Sequence, residues 1–182
     1  MFEQFGQTEC KLKVHGKEVV ARQIILPMPP SENKRLELDY VGTKLFLANK
    51  YKGSKNGKRG VLRNSTEYNQ WISAAANALK KGKYPKITEA VTCFIEVVFP
   101  DHHRRDVQNR AKAFFDALTA SGHVFEDDCQ VELFSMHRSI IAGSSFILAY
   151  LMPSKEIPEV DIKLSDEFIK KVAEQVQCET KY

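Results

Sequence analysis

Apolar residues at Val107, Ala111, Phe114, Phe115 and Leu118 recur at helical spacing, which predicts a helix with one buried stripe between Asp106 and Gly122. Asp106 stands where an N-cap carboxylate accepts backbone N–H groups, and Gly122 where a helix stops. A second stripe, Tyr68, Trp71, Ile72, Ala75 and Leu79, follows Asn64-Ser65-Thr66-Glu67, which reads as a capping box with Asn64 at the N-cap. Trp71 on that stripe reads as core rather than as a platform for stacked bases. Strand patterns fill much of the rest. Ala90 to Pro100 is rich in Val, Ile and Phe, and Ser144 to Leu151 is similar. Cys129 to Arg138 reads as a strand with Val131 and Leu133 on one face and Phe134 and Met136 on the other. Lys11 to Val14 and Glu18 to Leu26, joined by His15-Gly16-Lys17, read as a hairpin. Leu36 to Tyr40 and Lys44 to Leu47, joined by Val41-Gly42-Thr43, read as further short strands.

Helices and strands do not alternate regularly, so the expected class is α+β. It comprises a small mixed or antiparallel sheet packed with two main helices, an N-terminal β-hairpin extension and a C-terminal helix. Residues 1–152 are expected to form one domain, and 153–182 a linker (Pro153 to Pro158) and that helix. Ser165 would cap it, with Phe168, Val172 and Val176 on one face. Packing back on the domain is its plain role; supporting a dimer or a partner is the other reading.

The composition is ordinary for a globular chain of 182 residues, 43% hydrophobic and 27% charged. No apolar run is long enough to span a bilayer as a helix. Met1-Phe2-Glu3-Gln4-Phe5 lacks a basic segment followed by an apolar one, which argues against export and for the cytoplasm. The four cysteines have no Cys-x-x-Cys spacing and read as reduced thiols rather than zinc ligands or disulfides.

The net charge is only +4, but it is unevenly distributed. Lys50 to Arg63 contains basic residues and no acids, with Gly53, Gly57 and Gly60 marking a loop or hairpin tip. Lys34-Arg35 and His102-His103-Arg104-Arg105 are two further basic clusters. Lys and Arg dominate affinity for DNA through their phosphate contacts. Lys34, Arg35, Lys52, Lys55, Lys58, Arg59, Arg104, Arg105 and Arg110 are therefore candidate DNA contacts; a solvated loop is the alternative for the longest run. Neighbouring histidines in a strand face opposite ways, so His102 and His103 read as backbone contacts or exposed groups rather than metal ligands.

Chemistry concentrates between Arg104 and Val131, where acids lie at both ends of a helix with Arg and Lys between them. A helix of about 14 residues is roughly 21 Å long. The extended chain from Gly122 to Asp128 covers about 20–25 Å, so Asp127 and Asp128 can return to the level of Asp106. Carboxylates gathered this way repel one another unless a cation intervenes. Mg²⁺, or Mn²⁺, suits oxygen ligands shared with a phosphate. Lys112 lies six residues after Asp106, off its helical face, and would approach from the flank to stabilise charge on a phosphate. These groups point to a metal-dependent nuclease.

The same residues resemble the RusA-type Holliday junction resolvases, the crossover junction endodeoxyribonucleases. The matching motifs are Arg104-Arg105-Asp106 with Asn109 and Lys112, then Phe115-Asp116-Ala117-Leu118-Thr119, Gly122, Asp127-Asp128 and Gln130-Val131. Upstream, Leu26-Pro27-Met28-Pro29-Pro30-Ser31-Glu32-Asn33 is similar to the segment that opens the family pattern. The resemblance covers roughly residues 22–151. It implies a small dimeric enzyme that uses Mg²⁺ to cut four-way DNA junctions symmetrically. Asp106 and Asp128 take the places of its catalytic acids and Lys112 that of its helix lysine. Gln108 stands where the family has a second aspartate, which removes one negative charge. The metal set is then Asp106 and Asp128, with Gln108 or Asp127 assisting. Two readings follow: an active resolvase, or a junction-binding protein with weak or no cleavage. Asp116 fits the pattern but lies almost three turns from Asp106 and reads as structural.

Overall fold

The computed structural model describes residues 5–14, 16–31, 35–39, 61–81, 84–156 and 166–178. The strands in chain order are β1 Gly6–Val14, β2 Lys17–Pro27, β3 Leu36–Asp39, β4 Val61–Asn64, β5 Val91–Phe99, β6 Val131–Ile140 and β7 Phe146–Pro153. The helices are α1 Thr66–Leu79, α2 Ala111–Ser121 and α3 Asp166–Cys178. Five strands form one sheet in the order β1-β2-β7-β5-β6, and β3 pairs with β4 in a separate ladder. In the main sheet β5 and β6 are parallel and the other neighbours antiparallel. The sheet is therefore mixed and the class α+β, as expected.

Burial explains the order. Every residue of β5 is buried, and β7 is buried from Phe146 to Met152, so these two strands occupy the middle with both faces covered. Cys93, Ile95, Val97 and Phe99 face one side, where Ala75 and Leu79 of α1 and Phe114, Phe115 and Leu118 of α2 pack. Phe94 and Val98 face the other side, against Ile169, Val172, Ala173 and Val176 of α3. Each fully buried Leu, Ile or Phe contributes about 1.5–3 kcal/mol. The terminal helix thus packs on the domain, through Val172 and Val176 as expected; Ser165 and the side chain of Phe168 lie outside what is described.

The N-terminal hairpin forms as expected, with Gly6 to Val14 in register against Ile25 to Lys17 and Gly16 at φ 81° in its turn. A parallel strand pair requires a crossover, and α2 supplies it between β5 and β6. Its apolar stripe is the expected one, but the helix proper starts at Ala111, preceded by a 3-10 turn at Gln108–Arg110. Gly122 ends it in the left-handed conformation at φ 64°, its N–H donating to Thr119 O at 3.0 Å.

Several boundaries differ from expectation. The N-cap of α1 is Ser65, whose Oγ accepts from Tyr68 N at 3.2 Å. Asn64 is held in β4 opposite Leu36 and is not free to cap. The partner of β3 is β4, drawn from the end of the basic run; the expected partner, Lys44 to Leu47, lies outside the described residues. Val131 and Leu133 do not share a face. A bulge pairs Val91 with Val131 but Thr92 with Leu133, so Val131 joins Met136 against the α2 side of the sheet. The stretch read as a linker begins inside β7, and Ser154 N donates to Ala90 O at 2.9 Å. Among the described residues no helix is long and apolar enough to cross a membrane. Cys10, Cys93 and Cys129 are free thiols.

An alanine at position 122 would have open space around its Cβ but an unfavourable backbone angle. Gly122→Ala is expected to cost about 1 kcal/mol. The thermal midpoint should fall by roughly 2–4 °C, measurable by calorimetry.

Candidate active site

The crossover exposes two turns, one at each end of α2. At the first, the Asp106 carboxylate accepts Gln108 N at 2.9 Å, so the acid satisfies a backbone donor where the 3-10 turn begins. Val107, which precedes that turn directly, has no side chain for the task. Asp106 and Gln108 are exposed and line one groove of about 790 Å³ with Arg105, Val107, Ala111, Phe134 and Met136. Phe134 is 48% exposed there and stands edge-to-face on Phe115, with ring centroids 5.3 Å apart.

At the second turn, Asp127 caps a 3-10 turn at Asp128–Gln130 and accepts Cys129 N at 3.0 Å. Gln130 ties this turn down from both ends of its amide. Its oxygen accepts Glu126 N at 2.7 Å and Asp127 N at 3.3 Å. Its nitrogen donates to Ile87 O and Glu89 O, both at 3.2 Å. Ile87 N in turn donates to Val124 O at 2.8 Å, beside the bridge between Ile87 and Phe125. The acidic turn is therefore fixed to the segment that leads into β5. Gln130 had no assigned role in the sequence, although Asp127-x-x-Gln130 has capping-box spacing and could have signalled one.

Lys112 lies between these turns on α2. Its Nζ is 2.5 Å from Asp116 Oδ1, and Tyr68 donates its hydroxyl to the other Asp116 oxygen. The bond to Asp116 holds the Lys112 ammonium above its ordinary pKa, and the negative charge of Asp128 adds to this. A bond to Asp127, partial burial and the Asp127 charge push the Asp128 carboxyl up, while Lys112 pulls it down. Asp127 is held low, chiefly by Cys129 N–H. The structure thus brings Asp127, Asp128, Asp116 and Lys112 within one electrostatic neighbourhood, with the Arg35 charge also felt at Lys112. Asp106 and Gln108 line the groove at the first turn. Among the described residues no three His, Cys, Asp or Glu side chains are gathered to hold a metal ion. The donors are nonetheless oxygens of the kind a hard cation takes, and the paired carboxyls of Asp127 and Asp128 are a repulsion that a cation relieves.

The basic residues divide. Arg104 is exposed. Arg105 grips both carboxylate oxygens of Asp101 and lies 5.5 Å from the Phe99 ring centre. Arg110 is half-buried and donates to Pro29 O at 2.5 Å, which pins the proline-rich segment to the start of α2. Burial, then the Arg105 charge, lowers its pKa. Arg35 sits at the base of the β3–β4 ladder, where its carbonyl accepts Ser65 N at 2.6 Å. Lys34, Lys52, Lys55, Lys58 and Arg59 lie outside the described residues. Arg138, overlooked in the sequence, donates to His103 O at 2.9 Å and is also 5.5 Å from the Phe99 ring centre. His102 and His103 are both exposed.

Fold and site together define an α+β protein with exposed carboxylates and a lysine around its crossover helix. The family model for endodeoxyribonuclease RusA matches residues 27–164, and the chain belongs to that family. The match starts five residues later than the expected span of roughly 22–151 and continues past its end, while β1 and nearly all of β2 precede it. No curated protein matches the chain.

Arg105 holds the Asp101 carboxyl well below its ordinary value. A carboxyl depressed in the folded state stabilises it fully above the unfolded pKa of about 3.9 and loses that contribution as pH falls through the folded value. The thermal midpoint of the native chain should therefore drop more steeply between about pH 4 and pH 2 than that of Arg105→Gln. Parallel curves would contradict this.

Proposed function

We propose that this protein is a metal-dependent endonuclease that resolves four-way DNA junctions as a homodimer. Family membership supports endonuclease chemistry, and the single observation that carries the site is the Lys112 ammonium bonded to Asp116, with the Asp128 charge acting on it. Asp106 and Asp128 are the principal ligands for Mg²⁺ or Mn²⁺, with Gln108 or Asp127 assisting. When bound, the cation supplies charge neutralisation and an acidified water for phosphodiester hydrolysis.

The chain's own groups do the rest. Lys112, kept protonated, faces a non-bridging phosphate oxygen and stabilises the charge that grows on it. The Gln130 clamp keeps Asp127 and Asp128 from drifting, so little reorganisation accompanies substrate binding. Arg35, Arg104 and Arg105 offer positive charge near the acids, and the basic residues Lys34, Lys52, Lys55, Lys58 and Arg59 extend it along the phosphate backbone. Arg110 acts mainly through its bond to Pro29. A twofold dimer matches the symmetry of a junction and sets two cuts opposite each other. Acting on recombining DNA, the enzyme works in the cytoplasm of a bacterial or phage-infected cell.

Gln108 favours a second reading. It lines the groove with Asp106 but contributes no charge, which weakens cation binding relative to an aspartate. On this reading the protein binds junctions and cuts them weakly or not at all.

A labelled four-way junction incubated with Mg²⁺ or Mn²⁺ separates the two. Paired nicks from the native chain support the resolvase; binding with nicks only from Gln108→Asp supports the second reading. Asp128→Asn is expected to lower cleavage by about 100-fold or more with junction affinity little changed. Equal loss of binding and cutting would contradict its role.

A further inference from the structure

Tyr68 is 2% exposed, in the first turn of α1, yet it ends in a hydroxyl. Buried hydroxyls need a partner, and this one donates to Asp116 Oδ2. The second oxygen of the same carboxylate meets Lys112, four residues back on α2. Asp116 is thus shared between two helices, with each oxygen committed.

An isolated Lys–Asp pair four residues apart on an exposed helix face is worth only a few tenths of a kcal/mol, and Lys-before-Asp is the weaker order. Such a pair would not by itself hold a lysine whose side chain is 50% exposed. Fixing the carboxylate from its far side changes this, because the aspartate no longer has rotational freedom to lose when the ammonium docks. The direction matters as well. Lys112 so held feels the charges of Asp128, which favours the ammonium, and of Arg35, which opposes it. Tyr68 also donates its backbone N–H to Ser65 Oγ, and Ser65 N–H donates to Arg35 O. The backbone that carries Tyr68 is thereby anchored to the base of the β3–β4 ladder.

We propose that Tyr68 and Asp116 are positioning residues that hold the Lys112 ammonium toward Asp128. This rests on the role given to Lys112 above. The competing role is a simple staple between α1 and α2, which would be indifferent to whether Lys112 is present.

The test is a double-mutant cycle on single-turnover cleavage of a labelled four-way junction with Mg²⁺, in the native chain or, if that does not cut, in Gln108→Asp. Lys112→Ala should slow cleavage by about 100-fold, and Tyr68→Phe by about 10-fold, each with junction affinity nearly unchanged. The double variant should be no slower than Lys112→Ala alone. Multiplying losses would assign Tyr68 to packing and overturn the inference. Cleavage at the native rate by Lys112→Ala would instead overturn the role of the lysine itself. A second readout needs no activity: the side-chain ammonium signal of Lys112 in ¹⁵N NMR. It should be slowly exchanging and restricted in the native chain, and should broaden or vanish in Tyr68→Phe and in Asp116→Asn. An unchanged signal in both variants would end the proposal. Should Tyr68→Phe fail to fold, Asp116→Asn carries the same cycle.

Discussion

Parallel pairing of β5 with β6 is the constraint from which the rest of the architecture follows. Two parallel neighbours cannot be joined by a tight turn, so the chain leaves β5 at Phe99, crosses as α2, and re-enters the sheet at Val131. That crossover needs two connecting turns, and both are acidic. Asp106 stands before the helix and Asp128 after it. A hairpin between the same strands would have left no helix to carry Lys112 between them.

Charge then governs the second turn. Asp127 raises the Asp128 carboxyl, with Asp116 adding to the repulsion and Lys112 offsetting it. Such an arrangement is a poor source of stability. Gln130, bonded to two backbone nitrogens of the acidic turn and two carbonyls ahead of β5, holds it in place. Arg110 performs a similar task at the first turn by fastening Pro29. The site is therefore built from constraints on backbone segments as much as from the reactive side chains themselves.

Much of this was legible in the sequence because periodicity is a local property. The stripe from Val107 to Leu118, the apolar run of β5 and the hairpin about Gly16 each follow from spacing alone. What escaped depended on contacts between distant segments. Asn64 lost the cap to Ser65 because it pairs with Leu36, and Val131 changed face because of a bulge opposite Val91. Asp116 matched a motif and read as structural, but its two partners, one on another helix, become visible only when α1 and α2 meet. Arg105 and Arg110 looked alike as basic residues, yet Asp101 engages one and Pro29 the other.

The central claim is that Asp106 and Asp128 serve one divalent cation. Paramagnetic broadening of backbone amide signals by substoichiometric Mn²⁺, with junction DNA bound, tests it most directly. The account predicts that residues around Asp106 and around Asp128 lose intensity together, and that Asp128→Asn restores both. Loss confined to one turn, or to neither, would contradict it.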